Sequence, residues 1–169
     1  LVDIVKQGKA LYVGISKYPP VQAKQAYEIL KSAGVPCLIS QYCYNMFNRA
    51  VEDETLALAA SYGSGFISFS PLAQGLLTDK YLKGIPEHSR AARSTGFLQL
   101  DQVTEEKVNK ASRLNEMASR RGQTLAEMAL AWILRDERLT SVIVGASSVE
   151  QLSVNLRTLS NLDFTAEEL

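Results

Sequence analysis

Four short apolar segments, spaced by stretches of helical periodicity, limit this chain more than any other feature. They occupy residues 10–16, 36–41, 65–70 and 140–145. Between them, Pro19-Pro20 open a helix with Ala23, Ala26, Tyr27, Leu30 and Ala33 on one side and Gly34 at its end. A second helix is predicted over 52–62, ended by Gly63, and a third over 104–121 with Val108, Ala111, Leu114 and Ala118 facing inward. Thr124 and Glu127 form a capping box for a helix over 125–135, and Ser147 or Ser148 caps another that runs to about Leu159. Residues 2–8 read as the end of a helix, and Thr165 with Glu168 as the start of one more. Near-continuous apolar strands alternating with amphipathic helices imply a parallel sheet covered by helices.

Right-handed crossovers leave two closures for such a sheet, an open doubly wound sheet or a barrel. No G-x-G-x-x-G turn follows any strand, which removes the chief sign of a dinucleotide-binding open sheet. Each strand instead finishes on polar or small residues: Ser16, Gln41, Ser70, and Gly145-Ala146-Ser147. Barrel enzymes place their sites at that end. Four strands are half of a closed barrel and would leave two bare edges. The expectation is half of a (β/α)8 TIM barrel, one part of a single domain about twice as long.

The segment Gly65-Phe-Ile-Ser-Phe-Ser-Pro-Leu-Ala-Gln-Gly75 shows the end of a strand most clearly. Pro71 cannot donate to a ladder, so the strand stops by Ser70 and a small-residue loop opens. The connection from Pro71 to about Val103 is too long for a simple link and reads as functional.

Charge and composition remove several classes of function. Eighteen basic residues balance eighteen acidic ones, so no overall field favours nucleic acid or an anionic membrane. No apolar run approaches the ~20 residues that span a bilayer, and residues 1–9 lack the order of a signal peptide. Cys37 and Cys43 fit no zinc motif and read as reduced thiols of a cytoplasmic protein. No metal site is expected, and with His88 as the sole histidine a Ser-His-Asp triad is disfavoured.

Five motifs in order then resemble a known family: Gly8-Lys-Ala-Leu-Tyr-Val-Gly-Ile-Ser16, Gln41-Tyr-Cys-Tyr-Asn-Met-Phe-Asn-Arg49, Phe69-Ser-Pro-Leu-Ala-Gln-Gly75, Gly84-Ile-Pro-Glu-His-Ser-Arg90 and Val144-Gly-Ala-Ser147. The chain is similar along its whole length to the aldo-keto reductases. It is most like the branch holding bacterial L-glyceraldehyde 3-phosphate reductases and potassium-channel β subunits. The resemblance implies strands five to eight of the family's barrel and NADPH-dependent reduction of aldehydes or ketones, such as triose phosphates or 2-oxoaldehydes.

It also implies residues that hold NADP(H). Phe69 is placed to stack on the nicotinamide, and Gln41 and Ser16 to bond its amide. The turn Ser70, Pro71, Leu72, Ala73, Gln74, Gly75 would wrap the pyrophosphate, with Ala73 and Gly75 allowing close approach. Lys80, Arg90, Ser147 and Gln151 would surround the adenosine and its 2′-phosphate, and Asn155 the adenine. Lys17 stands where the channel subunits carry arginine, and Val154 where some relatives carry an acid.

Plainer readings stand beside these. Phe69 fits a barrel core, Ser70-Pro71 a strand stop, and Ser147-Ser148 an ordinary helix cap. Lys80, Arg90 and His88 fit a solvated loop, and Arg120-Arg121 a solvated helix end rather than a nucleic-acid patch. The family's proton-donating tyrosine, with its lysine, aspartate and histidine, belongs to the other half of the barrel, so no catalytic residue is assigned here. The expected partners are a small carbonyl substrate and that other half, with self-association left open. A regulatory NADP(H)-binding β subunit of a channel-like partner would share every residue named, and so would a structural half barrel that binds nothing.

Overall fold

The computed structural model describes residues 1–87, 89–92 and 97–169; His88, assigned above to the surface, lies outside them. Along the chain run α1 (Val2–Lys6), β1 (Val13–Ser16), α2 (Pro20–Ser32), β2 (Cys37–Cys43), α3 (Thr55–Ser61), β3 (Gly65–Phe69), α4 (Glu105–Arg120), α5 (Leu125–Leu134), β4 (Ser141–Val142) and α6 (Val149–Arg157). The strands lie in sequence order and every pairing is parallel. Parallel neighbours with helical crossovers give the arrangement of half a (β/α)8 barrel.

Register assigns the two faces of the sheet. Ile15 pairs with Ser40, Ser40 with Phe66, Tyr42 with Ser68 and Ser68 with Val142, so these share one face. That face packs on the helices, where Ala23, Tyr27 and Leu30 of α2, Leu56 and Ala59 of α3 and Trp132 and Ile133 of α5 complete one core. Its two buried serines are not orphans. Ser40 Oγ lies 2.6 Å from Tyr27 Oη and 3.0 Å from Ser64 Oγ, and Ser68 Oγ donates to the Tyr44 carbonyl at 2.7 Å. The opposite face carries Gly14, Ser16, Ile39, Gln41, Cys43, Ile67 and Phe69, all at least partly exposed. The strands are therefore not sealed on both sides. Gly14 sits where no side chain fits, since a Cβ there would lie 2.6 Å from the Ile39 carbonyl oxygen.

Several boundaries differ from the sequence reading. β2 runs two residues past Gln41, because Gln41, Tyr42 and Cys43 find ladder partners in Ile67, Ser68 and Phe69. β4, one of the two edge strands, keeps only two residues of the expected six, since only Ser141 and Val142 find ladder partners, in Ile67 and Ser68. β1 begins at Val13, leaving Leu11 and Tyr12 largely exposed. α3 begins at Thr55, and Glu52 binds Arg49 and Tyr44 rather than starting a helix.

The end of the chain also departs from expectation. Residues 165–168 form a turn and not a helix, although Thr165 N does donate to Glu168 Oε2. That carboxylate is held by Arg121, which is not a solvated helix end. Its side chain is only 5% exposed. It donates to Glu168, to the Asp163 carbonyl and to Gln123, and its guanidinium lies 3.9 Å from the centre of the Phe164 ring. Arg121 therefore fastens the last nine residues to the junction of α4 and α5.

Candidate functional site

The C-terminal ends of the strands form a rim, and backbone conformation marks it before any side chain does. Among the described residues, the non-glycine positions in the left-handed region are Lys17, Ser70, Ala73 and Gln74, with φ between 48° and 61°. Lys17 directly follows β1 and Ser70 directly follows β3, with Ala73 and Gln74 in the same turn after β3. Each such residue costs about 1–2 kcal/mol, and strain of this kind gathers where a fold holds something. Gly75 follows at φ 101°, a conformation that suits glycine, and the Tyr81 ring packs at ordinary contact distance beside it.

Ser16 and Gln41 are register partners on the open face. Ser16 Oγ donates to the Gln41 carbonyl at 3.1 Å, and Lys17 N donates to the same oxygen at 3.1 Å. The Gln41 side chain has no hydrogen-bond partner in the structure's described residues and remains available to a ligand. Phe69 closes β3 opposite Cys43, also on the open face and only partly buried. Its ring belongs to none of the core clusters within this chain.

The loop after β3 is organised by side chains. Gln74 Nε2 donates to Ser70 Oγ at 2.9 Å, and Gln74 Oε1 accepts from Arg90 Nη1 at 3.0 Å. Pro71 is buried beneath this turn, while Leu72, Ala73 and Gly75 are partly exposed. Lys80 and Arg90 are exposed, as a solvated loop would have them, but Arg90 is tied to the turn all the same.

A second group lies after β4. Ser147 N and Oγ both donate to Gln151 Oε1, at 2.9 and 3.0 Å, and Ser148 caps α6 by accepting from Gln151 N. Asn155 lies one turn further on, half-buried. No hydrogen bond joins Ser147, Gln151 or Asn155 to the Ser70–Gln74–Arg90 chain, or Lys80 to either group. The structure thus shows three linked sets on one rim: Ser16 with Gln41, Ser70 with Gln74 and Arg90, and Ser147 with Gln151.

Tyr27, Tyr42 and Tyr44 belong to the helix side of the sheet, while Tyr81 is buried against the Gly75 turn. Tyr42 and Tyr44 are buried on the helix side; burial pushes both up to about 12, helped for Tyr44 by the Glu52 carboxylate. Their hydroxyls are engaged by the Tyr18 carbonyl and by Glu52. Burial likewise raises Tyr27, whose hydroxyl meets Ser40.

The aldo/keto reductase family model matches residues 1–169 without interruption. The chain belongs to that family. This aldo/keto reductase chain is 50% identical over its whole length to an L-glyceraldehyde 3-phosphate reductase of Escherichia coli O157:H7, and 47% identical to the protein of that name from Escherichia coli strain K12. It spans about half the length of the curated relatives it matches.

Sequence reasoning overlooked one residue of the aldo/keto reductase rim, Asn45. It is 3% exposed, and its Nδ2 donates to the Ser70 carbonyl at 2.9 Å. Its Oδ1 accepts from the backbone N–H groups of Phe47 and Asn48, both at 2.9 Å. Asn45 therefore pins the strained Ser70 turn to the loop after β2. The signal was an Asx-type amide two residues beyond a strand, inside a quoted motif but given no task.

Proposed function

We propose that this chain supplies the cofactor-holding, C-terminal half of an NADPH-dependent aldo-keto reductase that reduces a small phosphorylated aldehyde. The observation that carries the reading is the clustering of the left-handed non-glycine residues on the strand ends where a barrel enzyme would hold its ligand. Family membership supports the reaction class, and the printed names of the relatives support the aldehyde.

The residues fit a nicotinamide dinucleotide. Phe69 offers a partly exposed ring on the open face, with Gln41 on the neighbouring strand and Ser16 on the strand beyond it as amide partners. The backbone of Ser70 to Gly75, in its left-handed turn, suits a pyrophosphate. Arg90 presents a guanidinium with donors to spare for a 2′-phosphate, and Lys80, Ser147, Gln151 and Asn155 complete the adenosine end. The bound cofactor would supply the hydride for carbonyl reduction. This chain's own part is to bind and orient it. Tyr42 and Tyr44 are engaged on the helix side with raised pKa values, and the family resemblance assigns the proton donor to the other half of the barrel. That half would also cover the open face of the sheet.

The test uses the full-length protein. NADPH should bind more tightly than NADH, and NADPH should be consumed in the presence of L-glyceraldehyde 3-phosphate. Tight NADPH binding with no turnover against any aldehyde would replace the enzyme reading with that of a redox-reporting subunit. Absence of NADPH binding would overturn both.

A further inference from the structure

Gln74 is a long polar residue in a place that a glycine would occupy at less cost. Its φ is 60° and its ψ 18°, beside Gly75, which already supplies the turn's flexibility. A glutamine kept in that conformation needs an offsetting contact, and the side chain shows one at each end of its amide. Oε1 accepts from Arg90 Nη1, and Nε2 donates to Ser70 Oγ. The direction of this chain is not arbitrary. A guanidinium can only donate, so the amide oxygen must face Arg90 and the amide nitrogen must face the serine hydroxyl. The serine is itself fixed, because its carbonyl is held by Asn45 Nδ2 and by Ala73 N.

We infer that Gln74 is a positioning residue for Arg90, and through it sets the preference of the site for a 2′-phosphorylated dinucleotide over an unphosphorylated one. The inference rests on the assignment of Arg90 to the 2′-phosphate given above. Arg90 is an exposed side chain in a loop, and a free arginine loses rotamer entropy when it binds an anion. Tethering one Nη1 to Gln74 removes part of that loss in advance and leaves Nε and Nη2 to meet the phosphate. Gln74 does not need to touch the ligand for this. Its contribution to the preference for the phosphorylated dinucleotide should vanish when Arg90 is absent.

Dissociation constants of NADPH and NADH, measured by fluorescence titration of the full-length protein, test this in a double-mutant cycle. Gln74→Gly is the informative variant, since it removes the side chain while suiting the backbone better, and Gln74→Ala serves as its companion. Both should weaken NADPH about tenfold more than they weaken NADH, whose shared pyrophosphate reports any change in the turn itself. The double variant Gln74→Gly/Arg90→Ala should show the same NADPH-to-NADH affinity ratio as Arg90→Ala alone. Additive losses, or equal losses for the two dinucleotides, would overturn the positioning role. A different failure marks the underlying assignment: if Arg90→Ala leaves the NADPH-to-NADH ratio unchanged, Arg90 does not hold the phosphate, and the inference falls with it. Wild-type circular dichroism and thermal midpoints show that the variants are folded.

Discussion

Arg157 Nε donates to Glu127 Oε1 at 2.9 Å, joining the last turn of α6 to the first turn of α5. The other oxygen of Glu127 accepts from Thr124 N at 2.6 Å and Thr124 Oγ1 at 2.7 Å, completing the capping box. One buried carboxylate thus starts a core helix and holds the helix whose opposite end carries Ser147 and Gln151.

The electrostatics of Glu127 set a pH limit. Burial alone would raise its pKa, but the bonds from Thr124 and Arg157 outweigh this and hold it below the ordinary carboxylate value. A depressed carboxylate stabilises the fold above its unfolded pKa, about 4.3, and that contribution is lost as pH falls through the folded value. Glu52 and Asp136 are lowered as well and act in the same sense. Glu127→Gln should therefore cost about 1–3 kcal/mol at neutral pH. The difference from wild type should shrink at acidic pH. Urea titrations at both pH values read this directly, and a constant difference would contradict it.

Gly14→Ala places a methyl 2.6 Å from the Ile39 carbonyl oxygen and 2.7 Å from Ile39 Cγ2. Backbone on the β2 side cannot yield cheaply, so a loss of about 1–3 kcal/mol is expected from overpacking. Because Ser16 bonds the Gln41 carbonyl two residues further on, cofactor affinity should fall too. A urea midpoint equal to wild type would show that the strands separate freely.

Asn45→Asp keeps the oxygen that Phe47 and Asn48 need, but replaces the donor that holds the Ser70 carbonyl. It sets a carboxylate against a carbonyl in a buried place. Thermal denaturation should show a loss of about 1–3 kcal/mol, and NADPH should bind more weakly as the turn after β3 loosens. Weaker binding without any loss of stability would move Asn45 from holding the turn to touching the ligand.

Gln41→Ala separates orientation from affinity. Its side chain is uncommitted on the open face while its carbonyl is held by Ser16 and Lys17, so removal leaves the strand intact. Turnover of the full-length enzyme should fall further than NADPH affinity, because orientation governs reaction geometry. An unchanged kcat would return Gln41 to a packing role.

The parallel sheet was legible because apolar segments such as 65–69 alternate with helices whose caps are explicit, Thr124 with Glu127 above all. Strand length was less so. β4 stops at Val142, where its pairing with β3 ends, and the apolar run over 140–145 carries no sign of that. Arg121 looked like any exposed cation beside Arg120; its burial depends on Asp163, Phe164 and Glu168, forty residues on. At the rim, residue types named Ser70 and Arg90, but the bond from Arg90 to Gln74 spans sixteen positions and a left-handed turn. Periodicity cannot report such a contact.

The most direct measurement is a crystal structure of the full-length protein grown with NADPH. The account predicts the nicotinamide against Phe69 with its amide at Gln41 and Ser16, the pyrophosphate along Ser70 to Gly75, and the 2′-phosphate on Arg90 with Gln74 still bonded behind it. A dinucleotide bound away from these strand ends, or a 2′-phosphate that leaves Arg90 in solvent, would contradict it.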